Sequence, residues 1–263
     1  MLAKRKLDNK YLQWNWQWHA PFGRTFLKEL IPKKYWYSRW AGPLVGMYVF
    51  QPNSDTRKFE YPWAVDVAGL KPGMNVLDLG GGYSGFSFTL SKMGMNVTNV
   101  DPFVDYGPSQ HYEDRPSDIV RRLNRVFHTN ITLKHCTLKE AYFPDESFDR
   151  IFCISTIEHL QQEEIMFMMQ EIHRILKPSG LCILTVDLFL NLEPFTPRMT
   201  NEFGRNVSIK WLTDTSRMEL CKGNKEELFG YEEFAPKNIL QQLESYYLGS
   251  SYPALVQAFV LKK

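Results

Sequence analysis

The 263-residue sequence contains no run of about 18 apolar residues, which excludes a membrane-spanning helix. Its first basic residues are not followed by an apolar stretch, so MLAKRKLDNKYLQWNW does not read as a secretory signal. Cysteine is scarce: Cys136, Cys153, Cys182 and Cys221 stand far apart, without a C-x-x-C pair. That spacing argues against structural zinc and a disulfide framework, and it points to free thiols in a reducing, cytoplasmic setting. No two histidines stand at helical metal-binding spacing, so no metal is expected. No internal repeat or low-complexity tract is present. Net charge is only +2, too small to mark the whole chain as a polyanion binder.

That small sum hides an asymmetry. Residues 1–40 carry nine Lys or Arg against two Asp or Glu, a balance of +7, and the remainder carries −5. Six of the seven tryptophans lie in the first 63 residues, which are broken by prolines at 21, 32, 43, 52 and 62. Residues 1–60 show no strand alternation and are expected to form short helices and loops, an arm or cap on a larger domain spanning 61–263. RTFLKEL (24–30) predicts a short helix ending before Pro32, and WAVDVAGL (63–70) a helix leading into the domain.

From there the pattern is regular. Strands are expected at MNVLDLG, at 96–101, in ITLKHC, at 148–155 and at 181–188. Helices are expected at 85–94, 117–127 and 163–176, the last stopped by Lys177-Pro178-Ser179-Gly180. Such alternation predicts a parallel sheet with helices on both faces. The helix-spaced Met and Phe residues of 163–176 read as core. After an insertion at about 188–206 come a helix in VSIKWLTDTS, a short strand in MELC, a helix in PKNILQQLESYYL and a final strand at 254–261.

The chemistry concentrates in VLDLGGGYSGFSF (76–88). Gly80, Gly82 and Gly85 spell G-x-G-x-x-G between a strand and a helix, where free N–H groups favour anionic or polar ligand groups. Asp101 closes the next strand 21 residues after Gly80, where a carboxylate can hold ribose hydroxyls. A nicotinamide cofactor fits the glycine spacing, but Asp78 directly before the loop would repel its pyrophosphate, and little chain remains for a second nucleotide half. An NAD-dependent oxidoreductase remains an alternative.

Asp78-Leu79-Gly80-Gly81-Gly82, Asp101 in NVTNVDPF, ITLKHCTLKEAYFPDESFD, FDRIFCISTIEHL and EIHRILKPSGLCILTVDL together resemble, in order, the motifs of class I S-adenosylmethionine-dependent methyltransferases. The resemblance covers roughly 61–190. It implies an α/β fold: a doubly wound, mostly parallel Rossmann-like sheet with an antiparallel last strand, here preceded by the aromatic-rich helical arm. It implies S-adenosylmethionine as cofactor, held by Asp78, Gly80, Gly81, Gly82, Ser84, Gly85, Asp101, Pro102, Thr137, Leu138, Ser155 and Thr156. Two departures stand out. Ser84 occupies the place of the third alternating glycine, with Gly85 displaced by one. The turn after the third strand offers Thr137 and Leu138 where an acid often meets the adenine amino group, and Asp145 is too far along to serve. In similar enzymes the RKFEYPW entry passes the methionine end of the cofactor, which implies that Arg57 faces a carboxylate and Tyr61 lines the site; packing of the aromatic arm onto the domain is the alternative reading of the same stretch.

The resemblance implies methyl transfer without naming the acceptor. His159 is the candidate base, oriented by Glu158 or Asp187, at the carboxyl edge of the sheet where ligands of open α/β folds lie; as surface or capping residues, Glu158 and His159 have an equally simple reading. No Asn-Pro-Pro-aromatic or Asp-Pro-Pro-aromatic motif of base-amino methylation and no Pro-Cys pair occurs. A small-molecule or metabolite acceptor is the expectation, with an RNA-directed methyltransferase or RNA-binding module as the alternative. The basic aromatic arm is open to three uses: RNA binding, contact with an anionic membrane surface, or a cover for the active site. The cover is favoured because six tryptophans are costly to leave in water.

Overall fold

The computed structural model describes residues 1–103, 115–192, 200–201, 204–250 and 253–263. Five parallel strands form the centre of the sheet: β1 (Asn75–Leu79), β2 (Asn96–Val100), β3 (Thr132–Lys134), β4 (Phe148–Ile154) and β5 (Leu176–Phe189). A separate two-stranded ribbon, β6 (Thr200–Asn201) with β7 (Gly204–Arg205), lies in the insertion. Strands β8 (Glu219–Lys222) and β9 (Ala254–Lys262) complete a seven-stranded sheet of order β3-β2-β1-β4-β5-β9-β8. In this seven-stranded sheet β9, the last strand, runs antiparallel to both of its neighbours, β5 and β8, as the sequence led one to expect.

The strands alternate between two cores, because successive side chains leave a strand on opposite faces. Val76, Phe152, Ile154 and Ile183 join the buried cluster formed with the arm and with helices α4 (Arg57–Ala68), α5 (Gly85–Lys92) and α6 (Pro116–Phe127). Leu77, Ile151, Cys153 and Leu184 face α7 (Gln162–Ile175) and α8 (Ile209–Ser216). Burial on both faces explains why β1 and β4 read as continuous apolar runs. Helix α9 (Pro236–Gln241) packs Ile239 beside Leu188 and Leu255 in a smaller cluster.

Three helices shape the arm: α1 (Asn9–Trp18), α2 (Thr25–Leu30) and α3 (Gly42–Val45). Its first residues also extend the sheet. Leu2 bridges Gln257, and the Ala3 N–H donates to the Val256 carbonyl at 2.9 Å. A contact this short leaves no alternation to detect in the sequence. Helix α4 starts six residues before the expected WAVDVAGL helix and carries Pro62 inside it. Proline has no N–H for the carbonyl four residues back. That carbonyl, of Lys58, instead accepts from Asn15 Nδ2 of α1 at 2.7 Å. A tertiary partner thus removes the break that Pro62 implies.

Candidate active site

Strand β1 delivers Asp78 to the carboxyl edge of the sheet, and the chain turns sharply at Gly80, whose φ is +71°. Gly81 then passes directly over Asp78: a Cβ there would stand 2.5 Å from Asp78 Oδ2, too close for any side chain. The Asp78 carboxyl is buried and accepts from Ser87 Oγ at 2.6 Å. Burial pushes it up from 3.8 to about 6, the charge of Asp101 pushes the same way, and the Ser87 hydrogen bond opposes both.

Asp101, at the end of β2, braces the loop with both oxygens. Oδ2 accepts from the Gly82 N–H at 2.8 Å and Oδ1 from the Phe103 N–H at 2.6 Å. Asn99 Nδ2 donates to the Gly82 carbonyl at 2.9 Å, so Gly82 spends both backbone groups inside the protein. Gly85 serves packing: a Cβ there would lie 2.5 Å from the ring of Tyr48, an arm residue whose hydroxyl meets Thr89 Oγ1 at 2.9 Å. The glycine displaced from its usual place therefore admits the arm onto the start of α5.

From the opposite side α4 presents Arg57 and Tyr61. The Arg57 guanidinium donates through NH1 to Glu60 Oε2 and, at 2.9 Å, to Ser155 Oγ. Glu60 is fully buried, and its Oε1 accepts from Ser155 Oγ and Thr185 Oγ1, each at 2.6 Å. Burial alone would raise this carboxyl; Arg57 and the two hydroxyls outweigh it and hold Glu60 below its ordinary value. Tyr61 stacks on Phe86 with centroids 4.8 Å apart and donates its hydroxyl to Asn53 Oδ1 at 3.0 Å. Ser155 adopts φ +42°, a costly conformation for a residue with a side chain, where β4 turns out of the sheet.

These elements enclose a cavity of about 640 Å³. The loop side contributes Asp78, Gly80, Gly81 and Ser84. The β2 and β3 exits contribute Asp101, Pro102, Thr137 and Leu138. The far side carries Arg57, Tyr61, Ser155, Thr156 and His159. Thr137 is already engaged, since its hydroxyl donates to Glu140 Oε2 at 2.7 Å. Gly82, Gly85 and Glu158 are not on this wall. Glu158 is buried, and its Oε1 accepts from the Asp187 N–H at 3.1 Å. Burial pushes the Glu158 carboxyl well up. His159 is exposed at the cavity edge, and no hydrogen bond among the described residues joins its ring to Glu158 or Asp187. The two acids expected to orient the imidazole thus point into the protein instead.

Four contributors, Gln51, Glu60, Phe167 and Met168, were not expected from the sequence. Gln51 lines the cavity and accepts from the Tyr83 N–H at 2.8 Å, tying the arm to the loop; nothing local in the sequence signals it. Glu60 stands three residues after Arg57, a spacing that does signal a helical ion pair. Phe167 and Met168 of α7 line the cavity mouth although their periodicity read as core alone.

The family model described as a methyltransferase domain matches residues 77–184. The sterol 24-C-methyltransferase of Gibberella zeae is 29% identical over 178 residues, 64% of this chain and 43% of that protein. The chain spans 22 to 43% of the length of the curated relatives it matches. Among solved structures, the cyclase SpnF superposes with a TM-score of 0.54 at 14% identity, covering 77% of this chain and 79% of that one. The Burkholderia thailandensis 1,6-didemethyltoxoflavin-N1-methyltransferase, solved with bound 1,6-didemethyltoxoflavin and S-adenosylhomocysteine, gives 0.51 at 17% identity, covering 78% of each. A cyclase and a methyltransferase sharing one fold show that the sheet does not choose the reaction. The matched domain, the strand order and the ordered motifs from Asp78 to Asp187 agree on a methyltransferase domain over residues 77–184, carried on a Rossmann-like fold.

Proposed function

We propose that the chain binds S-adenosylmethionine in the 640 Å³ cavity and methylates a small-molecule acceptor. The observation that carries this reading is the pairing of Asp78 and Arg57 on facing walls of one cavity, with Asp101 between loop and β2. The residues suit this cofactor. A zwitterionic methionine end needs an acid for its ammonium and a base for its carboxylate. Arg57 uses only NH1 within the protein among the described residues, which leaves guanidinium N–H groups for a carboxylate. Asp101 lines the cavity with an oxygen edge for ribose hydroxyls. A pyrophosphate, by contrast, would meet the Asp78 carboxyl and the neighbouring Asp101.

When bound, the cofactor supplies an activated methyl group for in-line displacement. The protein's own part is to position and to exclude water: Gly81 allows close backbone approach, Tyr61 and Phe86 form an apolar wall, and the Glu60 network fixes Arg57. His159 stands at the mouth, where it would take a proton from an acceptor that must lose one. The named chemistry of the sterol and toxoflavin enzymes supports a small organic acceptor. Labelled S-adenosylmethionine incubated with a fractionated extract tests the proposal: transfer of label to a low-molecular-weight product supports it, and label only on RNA, or on nothing, refutes it.

A further inference from the structure

The expected cost of exposed tryptophan is not avoided in the arm. Trp16 is 81% exposed, Phe26 70%, Leu30 63% and Trp40 60%, with Leu12 and Leu44 also open to solvent. Leu12 and Trp16 stand one turn apart on α1, while the other side of that helix meets α4 through Tyr11 on Phe59 and Asn15 on Lys58. Neighbouring elements carry the rest. Arg24 joins α1 to α2 and α3, donating Nε to His19 Nε2 at 2.8 Å and NH1 to the Leu44 carbonyl at 3.3 Å. The rings of Tyr35 and Trp40 lie 5.6 Å apart. Trp36 Nε1 donates to the Ile31 carbonyl at 2.8 Å, which ties the segment carrying Tyr35 and Trp40 to the end of α2, so the exposed apolar side chains stand on elements bonded to one another.

Cations accompany them. Among the described residues none of Lys28, Lys33, Lys34 and Arg39 forms an ion pair. The first 40 residues hold only two acids, Asp8 and Glu29, and the rest of the chain is net negative. We propose that this outer face of the arm docks on an anionic lipid surface, inserting Trp16, Phe26, Leu30 and Trp40 at headgroup depth with Lys33, Lys34 and Arg39 against lipid phosphates. Tryptophan and tyrosine favour that interface, and cations with no acidic partner among the described residues add attraction to anionic lipid. Leucine decides between lipid and nucleic acid. A base stacks on an aromatic ring, but Leu12, Leu30 and Leu44 have no ring to offer and gain only by entering an apolar phase. The charge asymmetry turns the arm, rather than the acidic remainder, toward a negative surface.

Flotation with two vesicle types tests the proposal: phosphatidylcholine alone, and phosphatidylcholine mixed with phosphatidylglycerol. The full chain is expected on the mixed vesicles, leaving as salt rises, and not on phosphatidylcholine. Lys33→Glu with Lys34→Glu is expected to weaken partitioning at least roughly tenfold. Trp16→Ser with Trp40→Ser is expected to weaken it as well. All four positions are exposed and outside the cavity, so S-adenosylmethionine titration of the same variants should match the parent, and that control separates this proposal from the enzymatic one. The proposal is overturned if the chain ignores anionic vesicles, if both variants bind them like the parent, or if the same variants lose salt-sensitive binding to a single-stranded RNA while vesicles are never bound.

Discussion

Asp78 is the residue whose ionisation the account depends on most. Its carboxyl is raised from 3.8 to about 6, so its contribution to stability is full below its unfolded value and is lost as pH rises through about 6. The shift amounts to roughly 3 kcal/mol against the ionised form. A cation bound beside it reverses that penalty. Cofactor affinity is therefore expected to fall as pH drops below about 6, approaching tenfold per pH unit, and Asp78→Asn should flatten the profile as well as weaken binding. Calorimetric titration at pH 5, 6, 7 and 8 checks this; a wild-type profile as flat as the variant's would contradict it. Asp101 tests a different property. Its two backbone hydrogen bonds hold the loop in shape, so Asp101→Ala is expected to weaken cofactor binding at least tenfold and to cost about 1–3 kcal/mol of stability through the orphaned N–H groups, measurable by denaturant unfolding.

At the level of elements, α4 links the arm to the site, and two changes probe it. Glu60 has a lowered value, so its contribution is present above the ordinary glutamate range and is lost as pH falls below it. Glu60→Gln is expected to lower Tm at neutral pH, to approach the parent Tm in acid and to weaken cofactor binding by releasing Arg57; unchanged binding would show that Arg57 needs no such anchor. Asn15→Ala should cost about 1 kcal/mol by orphaning the Lys58 carbonyl, and Pro62→Ala in that background should recover most of it by restoring the helical N–H. A double-mutant cycle measures the coupling, and strictly additive effects would contradict it. The same helix shows where sequence reading stops. The strands and helices from β1 to β5 were legible because alternation and helical spacing are local properties. The start of α4 was not, because Asn15 satisfies Lys58 from 43 residues away. Gly85 was visible as a motif letter, yet its reason is the Tyr48 ring, which no spacing rule reports. Glu158 and His159 are adjacent in sequence, but the turn after β4 sends one inward and the other to the surface. Periodicity had placed Phe167 and Met168 in the core, while α7 also forms the mouth of the cavity.

For the whole molecule, the arm and the sheet domain are one packed unit: Met1–Ala3 bond to β9, Tyr48 lies on α5, and Gln51 reaches the glycine loop. Ligand seated between arm and sheet should therefore stabilise the entire chain. At a concentration of 100 Kd the gain is about 2.7 kcal/mol, visible as a single shifted unfolding transition. The charge asymmetry and the mostly parallel sheet with its antiparallel last strand were both readable in advance; that Trp16 and Trp40 stay in water was not, since burial depends on which helix faces touch. The most direct test of the central claim is calorimetric titration of the chain with S-adenosylhomocysteine, set beside NAD and beside the Gly81→Val variant, whose side chain would fill the space over Asp78. One site for S-adenosylhomocysteine, no heat with NAD and loss of binding in the variant are predicted. Binding of NAD alone, or S-adenosylhomocysteine affinity indifferent to Gly81→Val, would contradict the assignment.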